Sequence, residues 1–216
     1  MNNKKISRIQ KYVKEKMEGE STGHDWFHVE RVLKTSLLIA KKEGKVNLFI
    51  IITAALLHDL GDWKINNTNK TEEEILEETM NKFELSESEK KSIKEIILNM
   101  SFSKNIDTKK ILSKEGQIVQ DADRLEALGA IGIARAFAYG GKKNREIYNP
   151  NIKPKFFKSI NEYRNSEGHT INHFYEKLFK IRKNLNTKTA KMIALEREKF
   201  MKTFLKEFYA EWDGKA

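Results

Sequence analysis

The apolar segment Phe49–Leu57 is followed at once by the pair His58-Asp59, and this junction constrains the fold more than any other stretch. The segment is apolar on all sides, which predicts a central, buried helix from roughly Asn47 to Asp59. An imidazole and a carboxylate at the end of a buried segment are costly unless they are paired or bind a metal. We therefore interpret His58 and Asp59 as ligands of a divalent cation.

Hydrophobic periodicity and capping signals predict that the rest of the chain is helical as well. The predicted helices are Ile6–Met17, Asp25–Gly44, about 72–83 after Thr71, about 87–101 after Ser86, Gly116–Tyr139 with a bend or close packing at Gly129 and Gly132, Thr170–Asn184 and Thr187–Trp212. No alternating run is long enough for a sheet, and no linker divides the chain. The sequence thus predicts an all-α, single-domain bundle of eight or more helices over residues 1–216. Its C-terminal helices, about 170–212, should pack on the core.

Composition limits the class of protein. The 216 residues include no cysteine, which excludes disulfides and thiolate metal sites and fits a reducing compartment. The longest apolar run is far shorter than the roughly 20 residues that a membrane-spanning helix needs. The N-terminus is polar and lacks the apolar core of a signal peptide. We expect a cytoplasmic protein that does not enter a membrane.

The net charge of +10 is concentrated in one stretch, Lys142–Lys158. This basic stretch holds six basic residues and one acid, a net charge of +5, or half of the total. Both prolines of the chain lie in it, which indicates a loop. Clustered positive charge favours a polyanionic ligand. We expect the basic stretch to lie at the rim of the cleft that holds His58.

Further metal ligands must come from other helices. His24 and His28 are four residues apart at the start of the second helix, so both can face the same way. In the segment Gln120–Arg124, Asp121 and Asp123 are two residues apart and point to nearly opposite sides of a helix, so they cannot both be ligands. The apolar stripe of that helix lies slightly nearer to Asp121, and periodicity alone weakly favours Asp121.

The ordered set His28, His58-Asp59 and Ala122-Asp123-Arg124 resembles the HD-domain superfamily of metal-dependent phosphohydrolases. The motifs around it are similar to a small bacterial branch of nucleotide pyrophosphohydrolases: these are His24–Arg31, His58–Asp62, Gln120–Arg135, Asn172–Lys177 and Phe208–Asp213. The resemblance covers nearly the whole chain and implies an all-α fold. It also implies that the metal ligands are His28, His58, Asp59 and Asp123. Asp121 would then support these ligands without binding the metal itself.

Two imidazoles and two carboxylates suit a divalent ion of borderline character. We expect Mn²⁺ first, with Mg²⁺, Ni²⁺, Fe²⁺, Co²⁺ and Zn²⁺ as alternatives. The resemblance implies hydrolysis of (deoxy)nucleoside triphosphates to monophosphate and pyrophosphate by a metal-activated water. Asp62 is the candidate general acid/base, one turn after His58 if the helix persists past Gly61. The candidate substrate-binding residues are Lys64, Arg124, Lys177 and His24.

Other readings stay open. The same site could serve a nucleotide monophosphatase or a phosphodiesterase. A nucleic-acid-binding module is the less favoured alternative, suggested by Tyr148, Phe156 and Phe157 among the lysines of the basic stretch. A third reading is a structural or signalling bundle that keeps the metal without catalysis. The oligomeric state is open, with a homodimer as one alternative, and the expected ligand is a nucleotide or another phosphate ester.

Overall fold

The chain is mostly helical in the part that the computed structural model describes, which comprises residues 2–17, 25–61, 69–100, 111–155 and 168–215. Within those residues there are nine α-helices, one 3-10 helix and no strand. The α-helices are α1 (Asn2–Met17), α2 (Trp26–Glu43), α3 (Leu48–Leu57), α4 (Glu72–Met80), α5 (Glu87–Met100), α6 (Lys114–Leu125), α7 (Gly129–Lys142), α8 (Thr170–Glu176) and α9 (Lys188–Trp212), and the 3-10 helix is Leu178–Asn184. The prediction of an all-α fold with at least eight helices is confirmed.

The chain divides into two compact units, Met1–Ala122 and Asp123–Ala216, and the boundary falls within α6. Each unit has its own buried residues. The interpretation of the whole chain as one domain, with its last helices packed on the core, stays a prediction.

The first unit is built around α3, as the all-apolar pattern predicted. This helix packs against α1, α2 and α5, and Ile51, Ala54 and Leu57 are completely buried. Burial of an Ile or Leu side chain stabilises a fold by roughly 1.5–3 kcal/mol, so this helix anchors the unit. Asn47 caps its start, because its side-chain oxygen accepts the Phe49 backbone N–H at 3.1 Å.

The end of α3 differs from the prediction. The helix stops at Leu57, and residues 58–61 form turns in which the Leu60 N–H donates to the Leu57 carbonyl at 3.1 Å. His58 is the C-cap and keeps right-handed helical angles, φ −59° and ψ −32°. The condition for placing Asp62 one helical turn after His58 is therefore not met.

The predicted starts of α4 and α5 are confirmed. Thr71 and Glu74 form a complete capping box, in which the Glu74 N–H donates to Thr71 Oγ1 at 3.2 Å and Glu74 Oε2 accepts the Thr71 N–H at 2.8 Å. Ser86 and Glu89 make the same pair of bonds at 3.3 and 2.7 Å. Each pair satisfies backbone donors that the first turn of a helix leaves without partners.

The predicted helix from Gly116 to Tyr139 is two helices, α6 and α7. Gly129 has a φ of +78°, a left-handed conformation that interrupts the helical ladder and suits a residue without a side chain. A Cβ atom there would lie 3.1 Å from Arg197 Cγ, so α9 passes close to this backbone. The Arg197 guanidinium donates to the Leu125 carbonyl at the end of α6, at 2.5 Å.

The segment predicted as one helix from Thr170 to Asn184 also divides. The α-helix α8 ends at Glu176, where Lys177 adopts φ −134° and ψ −54°, and a 3-10 helix continues the chain. In the second unit α9 packs on α7 and α7 packs on α8. Phe174 is fully buried there and stacks on Phe204 at a ring separation of 6.1 Å.

In the part of the chain that the structure describes, no helix combines the length and the apolar character that crossing a membrane requires.

Candidate metal centre

The first ligand candidate, His28, is positioned by the start of α2. Asp25 caps this helix, and its carboxylate accepts the His28 backbone N–H at 2.8 Å. That bond places His28 in the first turn, and its side chain is completely buried. A carboxylate at a helix N-terminus also interacts favourably with the helix dipole. The cap therefore holds the His28 backbone in register for whatever its imidazole binds.

The second candidate, His58, is oriented by the last turn of α3. Its Nδ1 lies 2.9 Å from the Ala55 carbonyl oxygen. Because a carbonyl only accepts hydrogen bonds, Nδ1 must carry the proton and donate it. In a neutral ring this leaves the lone pair on Nε2, which is the form of histidine that binds a metal.

The two imidazoles and the Asp59 carboxylate converge within the first unit. The Nε2 atoms of His28 and His58 are 3.3 Å apart. Asp59 Oδ2 lies 3.4 Å from His28 Nε2, and Asp59 Oδ1 lies 3.4 Å from His58 Nε2. His58 and Asp59 are 7% and 9% exposed, so the group meets solvent only at its edge.

These separations fit a metal ion. Ligand atoms about 2.0–2.2 Å from one ion, at angles between about 90° and 110°, lie roughly 2.8–3.6 Å from each other. The 3.3 Å between the two Nε2 atoms lies within that range, and so does the 3.4 Å from each Nε2 to one oxygen of Asp59, which is Oδ2 for His28 and Oδ1 for His58. The grouping of His28, His58 and Asp59 predicted from the sequence is therefore present, and its donors could hold a divalent cation.

The choice between Asp121 and Asp123 as a further ligand is not decided. Asp121 is completely buried in the first unit, which agrees with its place near the apolar stripe of α6. Asp123 is partly exposed and is the first residue of the second unit. The assignment of Asp123 as the fourth ligand stays a prediction.

Three predicted site residues lie outside the described part of the chain. These are His24, Asp62 and Lys64. Their roles, as general acid/base for Asp62 and as substrate contacts for His24 and Lys64, stay predictions. The same holds for Phe156 and Phe157 in the basic stretch.

The other two predicted substrate-binding residues belong to the second unit. The Arg124 guanidinium donates to the Asn184 carbonyl at 2.5 Å, which ties the end of α6 to the end of the 3-10 helix. Lys177 lies at the end of α8, and its backbone N–H donates to the His173 carbonyl at 3.0 Å. Both side chains are partly exposed.

In the second unit, two cationic side chains influence a buried histidine, and this grouping was not predicted from the sequence. Burial, together with the charges of Lys177 and Arg145, lowers the pKa of the His173 imidazole from 6.5 to about 3. The spacing of His173 and Lys177, four residues apart, was the available signal. The proximity of Arg145 was not visible, because it lies 28 residues earlier in the sequence.

The remaining C-terminal histidine, His169, has a local structural role. It caps α8, and its Nδ1 accepts the Asn172 backbone N–H at 3.2 Å. Its Nε2 lies 3.1 Å from the Ile152 carbonyl oxygen, to which it donates. One ring nitrogen thus bonds to the backbone at the start of α8 and the other to the Ile152 carbonyl.

Comparison with known proteins identifies the family of this chain. The HD domain family matches residues 26–128, which include His28, His58 and Asp59. The chain is 36% identical to the uncharacterized protein YpgQ of Bacillus subtilis, over 98% of this chain and 95% of YpgQ.

Solved structures agree with this match. The chain is similar to an HD-superfamily hydrolase from Bacillus thuringiensis, with 39% identity, a TM-score of 0.77 and coverage of 99% of each chain. It is also similar to B. subtilis YpgQ crystallised in complex with ADP, with 33% identity, a TM-score of 0.77 and coverage of 97% and 96% of the two chains.

Proposed function

Because this chain belongs to the HD-domain family, we propose that it is a metal-dependent phosphohydrolase that cleaves nucleoside triphosphates to monophosphate and pyrophosphate. The observation that carries this proposal is the convergence of two imidazole Nε2 atoms, 3.3 Å apart, on the Asp59 carboxylate, of which a different oxygen lies 3.4 Å from each of them. The ADP complex of the related YpgQ supports a nucleotide as the ligand class.

In this proposal His28, His58 and Asp59 hold the ion, and Asp123 is the fourth ligand by resemblance to the family. Nitrogen and oxygen donors without thiolates favour Mn²⁺ or a similar ion. A bound divalent ion would supply Lewis acidity toward a phosphoryl oxygen and would lower the pKa of water. The bond from His58 Nδ1 to the Ala55 carbonyl keeps Nε2 in its metal-binding form.

The chain's own residues would then position the phosphates and move the proton. Asp62 is the proposed general acid/base, a role typically worth about 10²–10⁴-fold in rate. The proposed phosphate contacts are Lys64, Arg124, Lys177 and His24. Cationic side chains would offset the charge of the triphosphate and hold its chain in line for attack by water.

The test is product analysis with a panel of nucleoside triphosphates in the presence of Mn²⁺. We expect monophosphate and pyrophosphate in equal amounts, and loss of both in Asp59→Asn. Asp213→Asn is the matched control, because it makes the same change at an exposed site paired with Lys215. Free phosphate without pyrophosphate would reject the proposed reaction.

A further inference from the structure

The last turn of α6 carries Asp123, the proposed fourth ligand of the metal. Short backbone bonds close the helix after it: the Glu126 N–H donates to the Asp123 carbonyl, and the Leu128 N–H donates to the Leu125 carbonyl, each at 3.0 Å. The last carbonyl groups of a helix lack partners within the helix itself. The position of Asp123 therefore depends on what the surrounding structure bonds to this turn.

Arg197 of α9 forms such a bond. Its Nη1 donates to the Leu125 carbonyl at 2.5 Å, and the same oxygen accepts the Leu128 N–H. A carbonyl oxygen has two lone pairs and can accept both bonds. A cation at the C-terminal end of a helix also interacts favourably with the helix dipole. Because Leu125 is two residues after Asp123, Arg197 fixes the backbone about half a turn beyond the carboxylate.

The backbone after this turn leaves room for the Arg197 side chain. Gly129 has a φ of +78°, and a Cβ atom there would lie 3.1 Å from Arg197 Cγ and 3.3 Å from Arg197 Cβ and Cδ. The methylene groups of Arg197 therefore pack against backbone that only a glycine leaves bare. This packing restricts the rotamers of the side chain, so the bond to the Leu125 carbonyl costs little further conformational entropy.

A buried carboxylate compensates the charge of the guanidinium. Glu126 is 3% exposed, and its Oε2 lies 3.5 Å from Arg135 Nη1 of α7. Burial lowers the pKa of the Arg197 guanidinium, and the charge of Glu126 opposes this shift. An arginine stays protonated at physiological pH, so the bond from Arg197 to the Leu125 carbonyl is charge-assisted.

We propose that Arg197 is a positioning residue, which holds the Asp123 carboxylate in place for the divalent ion. The inference rests on the proposed function, in which Asp123 is a metal ligand. Metal sites need ligand atoms within about 0.2 Å of their ideal distances. The loss of a group that orients a ligand typically lowers metal affinity about 10–100-fold. Removal of the Arg197 guanidinium should therefore weaken binding of the ion.

The experiment measures Mn²⁺ binding to the full chain by calorimetry, below the onset of thermal unfolding of every variant. We expect Arg197→Met to weaken binding about 10-fold, because methionine keeps part of the stem and cannot donate. Arg197→Lys should recover much of the affinity, since an ammonium can donate to the same carbonyl. Should Arg197→Met not fold, Arg197→Gln takes its place in the same comparison.

Arg182→Met is the matched control. It removes another partly buried guanidinium of the second unit, whose Nε pairs with Glu198 at 2.9 Å and not with the turn of α6. This variant should bind Mn²⁺ like the parent.

A double-mutant cycle tests whether Arg197 acts through Asp123. Asp123→Ala should weaken Mn²⁺ binding, and Arg197→Met should have no further effect in that background, because the carboxylate that Arg197 positions is absent. A general effect of Arg197 on the second unit would instead lower the affinity in both backgrounds.

Four results would overturn the inference. Arg197→Met could bind Mn²⁺ like the parent, or Arg182→Met could weaken binding equally. The effects of Arg197→Met and Asp123→Ala could add, which would show that Arg197 acts elsewhere. Asp123→Ala could bind like the parent, which would remove Asp123 from the ligands. If Mn²⁺ binding behaves as expected but no triphosphate is hydrolysed, only the proposed reaction fails.

Discussion

Replacement of His173 by glutamine should make the stability of the protein less sensitive to acid. In the folded protein burial, Lys177 and Arg145 lower the pKa of this imidazole from 6.5 to about 3. Between these two values the unfolded chain binds a proton that the folded chain does not bind. Stability therefore falls as the pH drops from 6.5 toward 3. His173→Gln has no titrating imidazole at this position in either the folded or the unfolded state, so it lacks this contribution to the pH dependence.

The size of the effect follows from linkage. At pH 7.5 the imidazole is neutral in both states, so it contributes almost no difference. At pH 5 the folded imidazole, with a pKa of about 3, is still neutral, while the unfolded one, at 6.5, is almost fully protonated. Integration from pH 7.5 to pH 5 shows that this group lowers the free energy of unfolding by about 2 kcal/mol. The variant should lack that part of the loss.

The assay combines urea unfolding at pH 7.5 and pH 5 with a proton titration of the His173 Cε1–Hε1 resonance by NMR. The parent should lose about 2 kcal/mol more than His173→Gln between the two pH values, because all other titrating groups are common to both proteins. The resonance should show no titration between pH 7.5 and 5. A midpoint near 6.5, or equal acid losses in parent and variant, would refute the reasoning.

Three further predictions concern the first unit and the start of α7. Thr53→Val should raise the free energy of unfolding by about 1 kcal/mol in urea denaturation, because the buried Thr53 hydroxyl has no hydrogen-bond partner among the described residues; a loss of stability would contradict this. Gly132→Ala should cost roughly 1–3 kcal/mol by thermal unfolding, because its Cβ would collide with the Ala127 backbone; an unchanged melting temperature would disprove the close contact. Asp123→Asn should weaken Mn²⁺ binding in calorimetry at least 10-fold more than Asp121→Asn; the opposite order would assign the ligand role to Asp121.

Much of the helical framework follows from local sequence. The starts of α2, α3, α4 and α5 follow from Asp25, Asn47, Thr71 and Ser86, because a cap bonds to backbone groups only two or three residues away. The all-apolar stretch after Asn47 likewise predicts a buried helix, since no face of it can lie in water. These features need no knowledge of distant residues.

The ends and breaks of helices depended on tertiary contacts. Gly129 was predicted from the sequence as a place of bending or close packing, but the neighbour that packs there, Arg197, lies 68 residues later and was not visible. The stop of α3 at Leu57 was likewise not visible in the periodicity, because the apolar run continues to the last residue before His58. The helix propensity of a segment does not show which distant residue will pack against it or where the helix will stop.

For the metal centre, the sequence alone determined which chemical groups are available: imidazole and carboxylate at His58-Asp59, a second imidazole at His28, and no thiolate. Only the tertiary structure decided that the Nε2 atoms of His28 and His58 lie 3.3 Å apart, and that the charge of Arg145 acts on the imidazole of His173. The physical reason is that periodicity assigns a side chain to a face of its helix. The packing of one helix on another then sets the distances on which metal binding depends.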